Sequence, residues 1–310
     1  MKKRVLTLLA VLAAAFLVAY FVIAPPEKHS NTVQLQCTQT AFTRFLLNKK
    51  KWPQWWPGKI QNDSTLEYSG LEFSVQKVLL NGILFSIKKG DEQYSGRLDI
   101  LPADSNLCTA GFTTAFDVPS GIMERFRSYG AAKEINAVTD HLLTDLQSFF
   151  NQQENVYGMK VERQKVTDTM LISTSRVQDH YPSTAEVYDM LASLKQYILS
   201  VNGKETNPPM LNVYKEDSTR YNVMVAIPTA ALLPATEIFK PKRMVPGYIL
   251  VGDVKGGIAV IKKAEEEMYN YVIDYGKSSP AIPFQSLLTN RQQEPDSSKW
   301  ITRLYYPVMY

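Results

Sequence analysis

Along the second half of the chain the apolar positions keep a rhythm that occurs twice. Val187, Leu191, Leu194, Ile198 and Val201 fall at three- and four-residue spacing, and so do Ile258, Ile261, Met268, Val272 and Tyr275. A stripe at that spacing predicts an amphipathic helix laid on a core. The two helices end in similar text, Tyr197-Ile198-Leu199-Ser200-Val201-Asn202-Gly203-Lys204 and Tyr271-Val272-Ile273-Asp274-Tyr275-Gly276-Lys277. In each, the glycine is expected to take the left-handed position that closes a helix. A proline-led alternating strand follows each helix, Pro209 to Tyr214 and Pro283 to Leu288, then a strand ending in proline, Val223 to Pro228 and Ile301 to Pro307. A further strand precedes each, Thr169 to Arg176 and Tyr248 to Val254. The unit strand, helix, strand, strand is used twice. Two such units can join their strands and place both helices on one face, with an open groove on the pseudo-twofold axis as a ligand site.

The first half has another pattern. Val33 to Thr38 alternates as a half-buried strand, and Thr40 to Leu47 carries Phe42, Phe45 and Leu46 on one helical side. Strands and turns fill Ser64 to Val118, with hairpins marked by Asn81-Gly82 and Gly90-Asp91. Ala131 to Phe150 then carries Ile135, Val138, Leu142, Leu146 and Phe149 at helical spacing. A curved antiparallel sheet gripping one long helix buries both. The fold class is α+β, in three parts: an anchor and linker over 1–30, a helix-grip domain over 31–155 and a duplicated domain over 156–310.

The N-terminus changes the picture of where this chain works. Lys2-Lys3-Arg4 precedes an uncharged run from Val5 to Ala24, and a helix of that length spans roughly the 30 Å of bilayer hydrocarbon. Residues 5–24 are therefore read as a single-pass membrane anchor. The basic cluster stays in the cytoplasm and both domains lie outside it, at the inner (cytoplasmic) membrane. A cleaved signal peptide is the competing reading; Pro25 directly after Val22-Ile23-Ala24 and the length of the run oppose it. Composition adds little: 310 residues with 45% hydrophobic and 21% charged suffice for two cores, and a net charge of +4 without dense basic runs points away from nucleic acid. His29, His141 and His180 stand far apart and suggest no metal, and no cofactor motif occurs.

In the first domain, the order of elements and the tryptophan-rich turn Trp52-Pro53-Gln54-Trp55-Trp56-Pro57 resemble the START-like superfamily (SRPBCC, polyketide cyclase-like). The resemblance implies an apolar ligand between sheet and helix, with Trp55 and Trp56 as candidate walls; the plainer reading is that the tryptophans close the core. It also makes the first and last strands neighbours, which places Cys37 and Cys108 within reach of a disulfide. Two buried thiols are the alternative.

The duplicated domain resembles the GyrI-like effector-binding family. The likeness is carried by Pro208-Pro209-Met210 through Tyr214, by Gly256-Gly257, and by Tyr305-Tyr306-Pro307-Val308. That family is the drug-sensing module of some multidrug-responsive regulators, whose helix-turn-helix this chain lacks. Its second proline-led strand commonly carries a glutamate and an aromatic facing the groove; Gln285 and Leu287 stand there instead. An amide neither takes a proton nor pairs with a cation. Gln285 is thus either a neutral group orienting a ligand or a satisfied core residue. The repeat pairs Gln285 and Leu287 with Leu211 and Val213, and Tyr188, Tyr221, Tyr269 and Tyr305 are candidate aromatic walls. Of the acids, Glu265 to Glu267 reads as a solvated helix face and Asp253 as a turn or cap residue. The leading expectation is an anchored envelope protein that binds or senses a small apolar or amphipathic molecule without catalysis. The alternatives are a hydrolase-type enzyme and a partner-binding protein with closed pockets.

Overall fold

The computed structural model describes residues 27–103, 106–117, 119–167 and 170–309, with positions 11, 14 and 18. The apolar run 5–24, read above as an anchor, lies outside the described residues but for those three positions. Among the described residues no helix is long and apolar enough to cross a membrane. The chain is a mixed α+β protein with two antiparallel sheets, divided into two compact units, Met1–Val156 and Tyr157–Tyr310.

The first unit opens with β1 (Lys28–Leu35), α1 (Gln39–Leu46) and the short α2 (Trp52–Trp55). Thr38 caps α1 by accepting from the Ala41 amide, which starts the helix there. Then come β2 (Lys59–Asn62), β3 (Thr65–Tyr68), β4 (Leu71–Leu79), β5 (Gly82–Lys89), β6 (Glu92–Pro102), β7 (Cys108–Ala115) and α3 (Ile122–Phe150). The sheet runs β1-β7-β6-β5-β4-β3-β2, so first and last strands do pair. The hairpins fall at Asn81-Gly82 and Gly90-Asp91, with Leu79 facing Gly82 and Lys89 facing Glu92.

Helix α3 is tied to strands across the sheet. Asp140 accepts from Asn31 on β1 at 2.9 Å, Asn136 from Thr114 on β7 at 2.9 Å, and Asp145 from the Tyr68 hydroxyl on β3 at 2.6 Å. Burial, with Asp145 adding to it, pushes the Tyr68 phenol up to about 12. All three tryptophans of the turn are buried, and each indole N–H donates to a backbone carbonyl: Trp52 to Leu46, Trp55 to Phe45, Trp56 to Glu67. Trp56 lies edge-on to Phe73 at 5.5 Å. Their indole N–H groups are spent on the chain's own carbonyls, and Trp55 and Trp56 pack in the core.

The strand assignment of Cys37 needs correction, because β1 ends at Leu35 and Cys37 belongs to the bend before α1. Cys108 opens β7 opposite Leu35, and the two buried sulfurs are 3.8 Å apart. That is longer than a covalent bond of about 2.05 Å yet within reach of one.

The second unit holds β8 (Glu162–Lys165), β9 (Met170–Gln178), α5 (Thr184–Ser200), β10 (Met210–Lys215), β11 (Tyr221–Pro228), β12 (Lys240–Arg243), β13 (Tyr248–Lys255), α6 (Ile258–Asp274), β14 (Phe284–Leu287) and β15 (Ile301–Val308); the one-turn α4 (Gln153–Tyr157) precedes them. Its sheet runs β12-β9-β11-β10-β14-β15-β13-β8. The inner six strands read as a palindrome of the two repeats, β9-β11-β10 against β14-β15-β13. Among the described residues the ladder between the repeats is short, with Met210 facing Ser286 and Leu211 facing Gln285.

Helix α5 starts in a full capping box, with Ser183 accepting from the Glu186 amide and Glu186 accepting from the Ser183 amide. The two helix ends differ from the expectation. In the second copy Gly276 takes the left-handed turn at φ 59°, but in the first it is Asn202, at φ 54°. Gly203 serves a close approach instead, since a Cβ there would meet Ile198 at 2.9 Å and Leu233 at 3.0 Å.

Candidate functional site

Strand parity places Leu211, Val213, Gln285 and Leu287 on the face that carries the helices. Leu211 and Leu287 are buried in one cluster with Leu191, Leu194 and Ile198 of α5, and Val213 packs at its margin. Gln285 lies among them at 2% exposure. An amide there needs partners, and it has them. Its Nε2 donates to Glu265 Oε1 at 2.9 Å, and its Oε1 accepts from the Arg291 guanidinium at 3.3 Å. Gln285 is therefore the middle of a carboxylate–amide–guanidinium chain.

Each end of that chain is positioned by its element. Glu265 is four residues after Ile261 and three before Met268, both buried, so it sits in line with the apolar stripe of α6. The solvated-face reading of 265–267 is corrected for Glu265: it is half-buried, and burial raises its carboxyl above the usual range, against the lowering pull of Gln285, Lys262 and Arg291. Arg291, 8% exposed, comes from the loop after β14. Asn290 turns that loop by accepting from the Gln292 amide at 3.0 Å. The Arg291 amide donates to the Tyr188 hydroxyl at 2.7 Å, its Nη2 donates to Thr302 at 2.8 Å, and its guanidinium stands 5.0 Å from the Trp300 ring. Burial lowers its pKa. Among the described residues no carboxylate touches it directly, so Glu265 balances its charge through Gln285.

The tyrosines separate into two kinds. Tyr188 is buried and spends its hydroxyl on the Arg291 amide and the Thr289 carbonyl, and Tyr221 stands edge-on to Tyr181 at 5.9 Å. Burial pushes the Tyr181 phenol up to about 12, and Lys262 lies 3.6 Å from its ring centre. Between Tyr181, Tyr188 and Arg291 the free space is only about 10 Å³, at the lower limit for one water. That end of the site is filled.

The other end is open. Beyond Leu211 and Gln285 the sheet halves part, and a groove of about 900 Å³ lies among Val213, Tyr269, Tyr305, Met268, Lys262 and Glu265. Tyr269 is 53% exposed, and Tyr305 stacks on Phe284 at 4.8 Å. The second carboxylate oxygen of Glu265 accepts no hydrogen bond from the described residues. Asp253 plays no part: it makes a two-pronged ion pair with Arg303, its cross-strand partner, at 2.6 and 2.8 Å, rather than ending a turn. Among the described residues no three His, Cys, Asp or Glu are grouped to hold a metal.

No family model and no curated protein matches the chain. Similar solved structures include the EcmrR C-terminal domain, 13% identical over 49% of this chain and 98% of that one, with a TM-score of 0.43. SAV2435 bound to tetraphenylphosphonium is 13% identical over 49% of this chain and 94% of that one, with a TM-score of 0.34. A START superfamily protein from Mycobacterium smegmatis is 18% identical over 41% of this chain and 99% of that one, with a TM-score of 0.31.

Proposed function

We propose that the chain is an effector-binding protein of the envelope, held at the membrane through residues 5–24, and that it takes a small amphipathic molecule in the groove between the halves of its C-terminal sheet. The reading joins a START-like helix-grip domain to a GyrI-like domain. One observation carries it: an open groove of about 900 Å³, with apolar and aromatic walls and with Lys262 and Glu266 also lining it, holds the half-buried carboxylate of Glu265 with one oxygen fixed by Gln285. Pockets of that size with few polar groups suit small organic ligands. The apolar body lies against Val213, Tyr269 and Tyr305, and a positive charge or a donor on the ligand meets the other oxygen of Glu265. Gln285 does not touch the ligand in this reading; it positions the carboxylate that does.

The test is titration of the full chain with tetraphenylphosphonium and with a neutral aromatic of similar size. Glu265→Gln should weaken the cation about tenfold and leave the neutral compound nearly unchanged. Equal binding of both compounds by both proteins would remove Glu265 from the site. Protease added outside an intact inner membrane should digest residues 31–310, and protection of both domains would sink the topology. The raised Glu265 pKa also favours a second reading, a hydrolase in which Glu265 acts as general acid or base. Turnover of ester substrates that is lost in Glu265→Gln would favour the enzyme.

A further inference from the structure

We infer a second ligand site in the C-terminal unit, on the sheet face opposite the helices, for a single-chain amphiphile with an anionic head. Both repeats put their helices on one face, which leaves the other face to solvent or to loops. Leu171, Met210 and Ala226 are buried there, with Met244 and Phe284 packed against them, apart from the cluster beneath α5. The segment joining β12 to β13 and the segment before β14 arch over these residues and enclose a cavity of about 570 Å³. Its walls are mostly apolar, and small organic ligands occupy spaces of this order. Val245, 80% exposed, stands with Ile282 and Met309 among the lining residues as apolar surface open to solvent.

Charge selects the head group. Lys242 and Arg243 are the lining residues with a formal charge, and neither Asp nor Glu lines the cavity. They come from β12, Lys240-Pro241-Lys242-Arg243, an edge strand whose cations suit its exposed position. Lys242 Nζ lies 2.9 Å from the Met224 sulfur, a weak acceptor for an ammonium. Among the described residues neither cation meets a carboxylate. A carboxylate or phosphate head would replace the thioether with a full charge pair. Asn212 is fixed in the wall. Its Nδ2 donates to the Pro283 carbonyl at 2.7 Å, while its buried Oδ1 has no partner.

The cavity adjoins the groove and shares Asn212, Ile282 and Phe284 with it, but its charged lining residues are Lys242 and Arg243 whereas those of the groove include Glu265 and Glu266, so the sign of the ligand and the two sets of variants tell the sites apart. The experiment is calorimetric titration of the full chain in neutral nanodiscs with octanoate, decanoate and dodecanoate, each below its micellar concentration, against dodecylammonium and empty discs. Affinity should tighten about fourfold per methylene until the cavity is filled. Lys242→Glu with Arg243→Glu, both exposed positions, should weaken dodecanoate at least tenfold and not weaken dodecylammonium. Met224→Trp should abolish uptake by filling the space, and Glu265→Gln should leave it unchanged. Equal binding of anion and cation, or loss in Glu265→Gln with none in the rim variant, would overturn the site. So would binding confined to phosphatidylglycerol vesicles, with no uptake of monomeric dodecanoate.

Discussion

A buried glutamine between a glutamate and an arginine does what neither charge could do alone. It lets each satisfy a hydrogen bond in the interior while keeping the ions one residue apart. The cost falls on Glu265, whose proton is held more tightly in the fold than in the unfolded chain. The direction of the linkage follows. Below about 4.5, the ordinary value, both states are protonated and the fold bears no penalty. As the pH rises from there to the raised folded value, the native state binds more protons than the unfolded one, so stability falls. Glu265→Gln removes that slope. Urea midpoints from pH 4 to 8 should show the variant gaining on the wild type across this window and holding a constant difference above it. Parallel curves would mean that Glu265 titrates normally. The position was legible in part. The apolar stripe Ile258, Ile261, Met268, Val272 has a gap where Glu265 stands, and a glutamate in that gap has to border the core. Arg291 carried no such sign, because its loop is rich in Asn and Gln and reads as surface. Only the requirement that a buried Gln285 be satisfied from both ends points to it.

At the scale of elements the duplication was readable because each repeat must bury the same helical stripe against the same strand pair. The palindromic strand order follows from joining two copies at their proline-led strands. What the repeat hid was its own asymmetry. Aligning the copies on their glycines misplaces the first helix end; aligning them on Tyr197 and Tyr271 puts Asn202 opposite Gly276, both with positive φ. Asn tolerates that conformation better than most residues, which is why the difference was masked. The helix starts differ too: α5 has the Ser183–Glu186 box, whereas α6 begins at Gly257 with no side-chain cap. Ser183→Ala should therefore cost about 1 kcal/mol, read as a shift in denaturant midpoint. Gly276→Ala should also destabilise, by roughly 1–2 kcal/mol, because an alanine must then hold the left-handed conformation. Gly203→Ala should be tolerated less well than its negative φ suggests, since its Cβ meets Ile198 and Leu233. If Gly276→Ala left the midpoint unchanged, the αL assignment of that helix end would be wrong.

The whole molecule raises the question of the compartment, and the two cysteines answer it experimentally. Their 3.8 Å separation and full burial are compatible with either redox state. A compact core can hold two thiols, or the sulfurs can close to bonding distance with a small rotation of the side chains. Redox environment then decides, and the reading of residues 5–24 as an anchor places the domain on the oxidising side. Under that topology Cys37 and Cys108 should be joined in protein taken from its own membrane. Closing the 71-residue separation would stabilise the first unit by about 4 kcal/mol under the chain-entropy model. The measurement is thiol titration of the unfolded chain without reductant, with intact mass before and after reduction. No reactive thiol and a gain of about two mass units on reduction are expected, together with a lower melting temperature for the reduced protein. Two titrating thiols in freshly extracted protein would place the domain in a reducing compartment. That result would count against the anchor's orientation as well as the bond, because the 3.8 Å geometry accommodates either state and leaves the choice to the compartment.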